Sequence, residues 1–177
     1  MGVRVSRQYP EHSLRLTVRG INNRMYGRGA RVVERSTLKR VKIMTSYYSG
    51  GCQCGAVRYT LSQEPERLYT CHCTECQTQS GSAFGMTMLV KEEGITVTGT
   101  LKEFVRESDK GNIVKAYFCP ECGVRIYGKP GYVKGVVSLK PGTLDDTGWL
   151  NPDTALWVRS SQNWFQLPKH TEKLEEQ

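Results

Sequence analysis

The chain has 177 residues, of which 38% are hydrophobic and 24% are charged, and its formal net charge is +8. This length fits one modest domain with accessory sequence, and the ordinary charge content excludes collagen-like and wholly disordered proteins. The longest apolar runs are a few residues, as at Met88–Val90, whereas a membrane span needs about 20. We therefore predict no membrane-spanning helix.

The positive charge is concentrated in the first 43 residues. They hold eleven arginines and lysines against two glutamates, whereas the remaining sequence has 14 basic and 15 acidic residues. Their apolar residues follow no sustained period of 2 or 3.6, so we predict residues 1–46 to be a disordered basic extension. Three interpretations stay open: a mitochondrial transit peptide, a nucleic-acid-binding arm, or upstream sequence before a natural start at Met44.

From Tyr47 onward, short runs rich in β-branched and aromatic residues alternate with turns that contain Gly, Pro or Asp. We predict strands at Val57–Leu61, Phe84–Val90, Ile95–Thr98, Lys102–Glu107, Ile113–Phe118, Val124–Tyr127, Val133–Leu139 and Ala155–Val158. The pattern predicts an all-β domain of antiparallel strands over residues 47–167. Helical structure is predicted only near Thr74–Gln79 and, fraying, at Lys169–Gln177 within a polar tail that begins at residue 168.

All seven cysteines lie between Cys52 and Cys122, in clusters of two, three and two. The odd number argues against a pure disulfide scaffold, and the N-terminus has no apolar signal-peptide core. A reducing compartment is therefore expected, and we predict a cytoplasmic protein, or a mitochondrial one if the extension is a genuine transit peptide. In such a compartment, closely spaced cysteines bind metal more often than they form disulfides.

Two of the clusters are pairs, each followed by a glycine that permits a tight turn. Cysteines one or two residues apart can direct both thiolates at one ion, so the pairs together predict one closed structural zinc site. Disulfides or ordinary buried thiols are the alternative. The predicted ligands are Cys52, Cys54, Cys119 and Cys122.

The middle cluster offers three sulfurs within six residues, Cys71, Cys73 and Cys76. Three protein ligands leave one position on a zinc ion open, as catalysis requires. The alternatives are an empty redox cluster, or a second structural site with His72 as its fourth ligand. Because side chains alternate along an extended segment, we expect His72 to face away from the ion, at the surface or behind the ligands.

These residues resemble the glutathione-dependent formaldehyde-activating enzyme family, which includes centromere protein V. The resemblance covers residues 47–165, and all seven cysteines agree in order and spacing. Its motifs are residues 50–59, 71–76, 80–84 and 118–123, with Trp157, Ser160 and Trp164 near the end. Ala155 stands where many relatives have a histidine.

The resemblance implies a tent-like arrangement of β-sheets around two zinc ions, one structural and one catalytic, with the ligands given above. It implies condensation of glutathione with formaldehyde, a carbon–sulfur lyase chemistry. The sequence leaves open the identity of the thiol and aldehyde, and the oligomeric state. A purely structural zinc domain and a nucleic-acid or chromatin-associated module are the competing functions, although the near-neutral domain makes nucleic-acid binding a property expected only of the basic extension.

Several other residues are candidates for the surroundings of a substrate. Arg58, Arg125 and Lys140 are candidates for binding the carboxylates of a tripeptide, with solvated surface charge as the alternative. The Ser80–Ser82 segment is a candidate loop beside the open zinc position, or a simple turn. The aromatic residues Trp157, Trp164 and Phe165 are expected either to close a pocket or to belong to the core.

Overall fold

The computed structural model describes residues 47–108 and 110–176. The predicted extension at residues 1–46 lies outside this part of the chain. Two β-sheets and one short α-helix form the described domain. Its strands are β1 Tyr48–Gly51, β2 Arg58–Leu61, β3 Arg67–Cys71, β4 Gly85–Lys91, β5 Ile95–Thr98, β6 Lys102–Glu107, β7 Ile113–Phe118, β8 Arg125–Pro130, β9 Val136–Leu139, β10 Thr154–Leu156 and β11 Glu172–Leu174.

The helix, α1, spans Thr74–Ser80, close to the predicted turn. The remaining regular segments are 3₁₀ turns at Glu92–Gly94, Pro141–Thr143 and Val158–Ser160. None of the helices in the described part of the chain is both long enough and apolar enough to cross a membrane.

The smaller sheet has three antiparallel strands in the order β1-β2-β5, and the larger has eight in the order β11-β10-β3-β4-β9-β8-β7-β6. The all-β prediction is confirmed, and most neighbouring strands are antiparallel as expected. The exceptions lie at one end of the large sheet, where β10 runs parallel to both β3 and β11. Parallel neighbours need long crossover connections, and residues 157–171 supply one between β10 and β11.

The core lies where the two sheets pack together. The strand β2 alternates exposed and buried residues, so Tyr59 and Leu61 point inward. They pack with residues such as Met88 on β4 and Leu139 on β9, which are fully buried. Each large side chain removed from water in this way contributes about 1.5–3 kcal/mol of transfer free energy.

The predicted strands correspond to observed ones, and those at Ile95–Thr98, Lys102–Glu107 and Ile113–Phe118 match to the residue. The helix predicted at Lys169–Gln177 is wrong, because Glu172–Leu174 forms the edge strand β11 instead. Pairing with β10 decides its conformation, which its charged sequence does not indicate.

Candidate metal centres

The two cysteine pairs meet at the junction of the two sheets. Cys52 and Cys54 lie in the turn between β1 and β2, and Cys119 and Cys122 lie in the turn between β7 and β8. Their four sulfur atoms all lie within 4.8 Å of one another. The sulfurs of Cys52 and Cys54 are 3.5 Å apart, and those of Cys54 and Cys119 are 3.7 Å apart. A tetrahedral zinc ion with bonds of ~2.3 Å separates its sulfurs by about 3.8 Å, so this group fits zinc.

Each pair lies in a tight turn that its glycine closes, and the turn at Cys52 is one residue shorter than that at Cys119. Gly55 and Gly123 adopt left-handed φ angles of 80° and 71°. The amide of Gly55 donates to the Cys52 carbonyl at 3.2 Å, and that of Gly123 donates to the Cys119 carbonyl at 2.9 Å. Only glycine adopts this backbone readily, so each turn wraps around its sulfurs without strain.

The second group is built where β3 ends and α1 begins. Cys71 is the last residue of β3, Cys73 is the N-cap of α1, and Cys76 lies in the first turn of the helix. Their sulfurs lie within 4.8 Å of one another, with 3.5 Å between those of Cys71 and Cys73. Among the described residues no fourth His, Cys, Asp or Glu joins this group. The site can therefore supply three sulfur ligands and leave one position open.

Local hydrogen bonds prepare one of the three sulfurs as a thiolate. Contacts from the thiols of Cys71 and Cys76, aided by the backbone amides of Cys76 and Glu75, lower the pKa of Cys73 to about 2. The amide of Cys76 lies 3.4 Å from the Cys73 sulfur, in the position of a helix cap. The contact with Cys73 conversely raises the pKa of Cys71, so a proton is released there when a cation binds.

His72 is buried on the side away from the sulfurs. Its ring packs in a triangle with Phe84 and Phe165, at centroid distances of 5.3 Å and 5.5 Å, and its Nε2 is 3.3 Å from the Thr70 hydroxyl. Burial lowers its pKa and favours the neutral ring. The expectation that His72 points away from the ion agrees with this position, whereas the surface interpretation is wrong because the two phenylalanines enclose the ring.

The C-terminal segment is fastened to α1 by a glutamine that the sequence analysis overlooked. The side-chain amide of Gln77 donates to the carbonyls of His72 at 2.7 Å and Ser160 at 2.8 Å. Gln162 in turn donates to the Gln77 oxygen at 3.0 Å. Nothing in the sequence singles out this residue except its position beside Cys76, because two of its three partners, Ser160 and Gln162, lie more than 80 residues away.

An open cleft of about 490 Å³ adjoins this glutamine. Its walls come from α1, the loop after it and the C-terminal segment: Gln77, Gly81, Ser82, Ala83, Gln162 and Trp164. Gly81, at a φ of 59°, ends the helix, and the Ser80 hydroxyl donates to the Phe84 carbonyl at 2.9 Å. The Ser80–Ser82 segment therefore acts both as a helix-ending turn and as one wall of the cleft.

The three aromatic candidates occupy different environments. Trp164 is 71% exposed beside the cleft, and the half-buried Phe165 packs against Phe84. Trp157 has a φ of 57°, the single positive value among non-glycine residues of the described chain. It packs beside the group that contains Cys71 and Cys76. Such backbone strain concentrates at functional sites, which marks Trp157 as part of the surroundings of the three-cysteine group.

The three cationic candidates, Arg58, Arg125 and Lys140, also lie in different environments. Arg58 forms a bidentate ion pair with Asp145, with 2.9 Å between Nη1 and Oδ1. Arg125 and Lys140 instead lie near the three-cysteine group, and their charges interact with the Cys76 sulfur. Both side chains are half-buried, which favours a role beside the three-cysteine group over fully solvated surface charge.

The fold and its two sulfur groups define a small β-sheet protein with two candidate metal centres. Residues 47–160 match the model of the glutathione-dependent formaldehyde-activating enzyme family. The chain belongs to this family, and the resemblance noted from the cysteine motifs is confirmed.

Curated relatives agree with this assignment. A Penicillium rubens protein, provisionally named a glutathione-dependent formaldehyde-activating enzyme, is 27% identical over 72% of this chain and 70% of its own. A Colletotrichum graminicola protein with the same provisional name is 29% identical over 71% of this chain and 69% of its own. A crystal structure of a Rhodobacter sphaeroides protein aligns with 57% of this chain and 91% of its own, at 17% identity and a TM-score of 0.46.

Proposed function

We propose that this protein is a zinc enzyme that makes or cleaves the carbon–sulfur bond between a thiol and a small aldehyde, as in the formation of S-(hydroxymethyl)glutathione. The observation that carries the proposal is the contrast between the two sulfur groups. Four sulfurs can enclose one ion completely, whereas Cys71, Cys73 and Cys76 provide one ligand fewer. Membership of the family supports glutathione and formaldehyde as the reactants.

The proposed reaction is an addition that needs no redox partner. The thiol sulfur bonds to the carbonyl carbon while the carbonyl π bond breaks, and the thiol proton ends on the former carbonyl oxygen. The reverse reaction breaks the same carbon–sulfur bond and regenerates thiol and aldehyde. A bound zinc ion lowers the pKa of a coordinated thiol and thus supplies thiolate at neutral pH.

The residues of the chain would hold and orient the reactants. The three cysteines would hold the ion, and the amide of Cys76 would keep the Cys73 sulfur in place. Gln77 fixes α1 against the C-terminal segment, so that the cleft beside Trp164 keeps its shape. We propose that this cleft takes the body of the tripeptide, because it borders the same helix that carries Cys76.

The test is a coupled measurement of metal content and activity on the zinc-loaded full chain. We expect two zinc ions per chain and formaldehyde-dependent consumption of glutathione, which a Cys73→Ser variant abolishes. Two zinc ions without activity toward any thiol and aldehyde would reject the reaction. X-ray absorption that shows four protein ligands at both ions would favour a purely structural zinc domain instead.

A further inference from the structure

The three-cysteine group lies on one face of the large sheet. Cys71 on β3 pairs directly with Gly85 on β4. A Cβ atom built on Gly85 would lie 3.2 Å from the Cβ of Cys76, so α1 rests on this same face. Side chains alternate between the two faces along a strand, and Thr87 therefore projects to the face of Gly85.

Lys140 extends over this face from the neighbouring strand. Its ammonium donates to the Thr87 hydroxyl at 3.3 Å. Burial lowers the pKa of Lys140, and the charge of Arg125 lowers it further, whereas the sulfurs of the three-cysteine group oppose both effects. The hydrogen bond to Thr87 therefore places the ammonium on the same face of the sheet as Gly85 and Cys71.

Arg125 reaches the same place from β8. Its guanidinium donates through Nη1 to the Gln79 side chain of α1, and its buried Nε has no hydrogen-bond partner. A guanidinium stays protonated in proteins, so this position carries a permanent positive charge. Gln79 follows Cys76 by three residues, so the two side chains share one face of α1, and the charge of Arg125 also interacts with the Cys76 sulfur.

The carboxylate on this helix is already paired with a different arginine. Glu75 lies 3.4 Å from the Nε of Arg106. Within residues 47–108 and 110–176, no carboxylate lies within 4.0 Å of the nitrogens of Arg125 or Lys140. Two partly buried positive charges thus lie on the face of the sulfurs without an acidic partner, an arrangement that favours a compensating anion beside them.

A charge count gives the charge that a ligand in the open position must carry to compensate them. Three thiolates and one divalent zinc ion carry a net charge of −1, which offsets only one of the two cations. A fourth, anionic sulfur ligand brings the complex to −2 and makes the whole site neutral. A neutral water in that position would leave the second cation unbalanced.

We propose that Arg125 and Lys140 are positioning residues whose joint charge selects a thiolate, rather than a neutral ligand, for the open position beside Cys71, Cys73 and Cys76. This inference rests on the proposed function, because it assumes a zinc ion at that group. It adds the source of thiol selectivity, which three cysteine ligands alone do not provide.

The experiment measures thiol binding to the full chain loaded with cobalt(II), in which the sulfur-to-cobalt absorption band grows when a further thiolate binds. Glutathione and 2-mercaptoethanol are titrated separately, because the second has no carboxylate. We expect Arg125→Gln and Lys140→Gln each to raise the dissociation constants of both thiols about tenfold. Lys115→Gln is the control, since that lysine pairs with Glu103 at 3.3 Å on the other face of the sheet.

Charge-conserving variants distinguish this electrostatic effect from a structural role of the two residues. Arg125→Lys and Lys140→Arg should stay within about threefold of the wild-type dissociation constants, whereas a purely structural role would make Arg125→Lys as damaging as Arg125→Gln. Circular dichroism and cobalt content confirm that each variant is folded and loaded. If Arg125→Gln does not fold, Lys140→Gln at the end of β9 carries the test alone.

Three results would overturn the inference. Unchanged binding of both thiols in the variants would show that the cations do not act on the ligand. Weaker binding of glutathione with unchanged 2-mercaptoethanol would assign the cations to the tripeptide carboxylates instead. Wild-type protein that binds no thiol would overturn the proposed function as well, which distinguishes that failure from the first two.

Discussion

Replacing Cys119 by serine should unfold the domain, whereas replacing Cys73 should leave it folded with about one zinc ion fewer. Cys119 is fully buried and belongs to the main core. Its sulfur group joins the β1–β2 turn of the small sheet to the β7–β8 turn of the large one. An ion in that group therefore holds together the two layers that enclose the core.

The magnitudes of the two substitutions differ for structural reasons. A structural zinc ion supplies about 10–16 kcal/mol in zinc-finger peptides, whereas a whole domain has a net stability of only about 5–15 kcal/mol. Losing most of that binding free energy exceeds what the rest of the fold can offset. Cys73 instead caps α1, a helix with no buried residues. Serine is itself a favoured N-cap, so Cys73→Ser should cost less than about 1 kcal/mol of folding free energy.

The assay combines urea denaturation with zinc stoichiometry on full-length wild type and both variants. We expect wild type to hold two zinc ions, Cys73→Ser to hold one and keep a cooperative transition, and Cys119→Ser to show no folded baseline. An equal loss of folding in both variants would refute the division into a structural and an open site. A Cys73→Ser variant that retains two tightly bound ions would also contradict it.

Three further perturbations test the packing and the sites. Gly85→Ala should weaken zinc binding at the three-cysteine group by about threefold or more and leave the other group unchanged in a chelator competition, because its Cβ would lie 3.2 Å from that of Cys76 and displace α1. Ile126→Ala should lower the free energy of unfolding by about 2–5 kcal/mol in urea, since the side chain is fully buried, whereas the exposed Val105→Ala should change it by less than about 0.5 kcal/mol. Burial raises the pKa of Tyr59 to about 12. As the pH rises above 10, the tyrosine therefore loses its proton in the unfolded state before it does so in the folded state. The free energy of unfolding of the wild type should consequently fall by up to about 3 kcal/mol between pH 10 and 12. Tyr59→Phe should remove that share of the alkaline loss, and an identical pH profile in the variant would contradict the assignment.

Local sequence patterns predicted the parts of the fold that depend on local residues. Short runs bounded by turn residues identified strands such as Lys102–Glu107, and the cysteine–glycine turns identified both halves of the four-sulfur group. The strand Arg67–Cys71 was not predicted. It lies inside the large sheet between β4 and β10, and its residues show no alternation of exposed and buried positions. The strand Glu172–Leu174 was missed for a related reason, since a charged sequence becomes a strand only beside β10.

The environment of the three-cysteine group was harder to predict than its ligands. Its three sulfurs lie within six residues, so spacing alone brings them together. The positions of Arg125 and Lys140 depend instead on the order β4-β9-β8, in which strands distant in sequence become neighbours. The orientation of His72 away from the ion was predicted, but its complete burial was not, because Phe165 packs against it from 93 residues further along the chain.

The two sulfur groups differ in how much of the chain each one joins. This difference explains how one domain can combine a centre that is coupled to folding with one that is open to a ligand. An ion held by both Cys54 and Cys119 would close the long segment of chain between them and join the two sheets. Binding of that ion is therefore coupled to folding of the whole domain. Cys71, Cys73 and Cys76 are already held together by β3 and the first turn of α1, and an ion there closes almost no additional chain. Exchange of a ligand at the second group would therefore leave the two sheets joined, as the proposed open site requires.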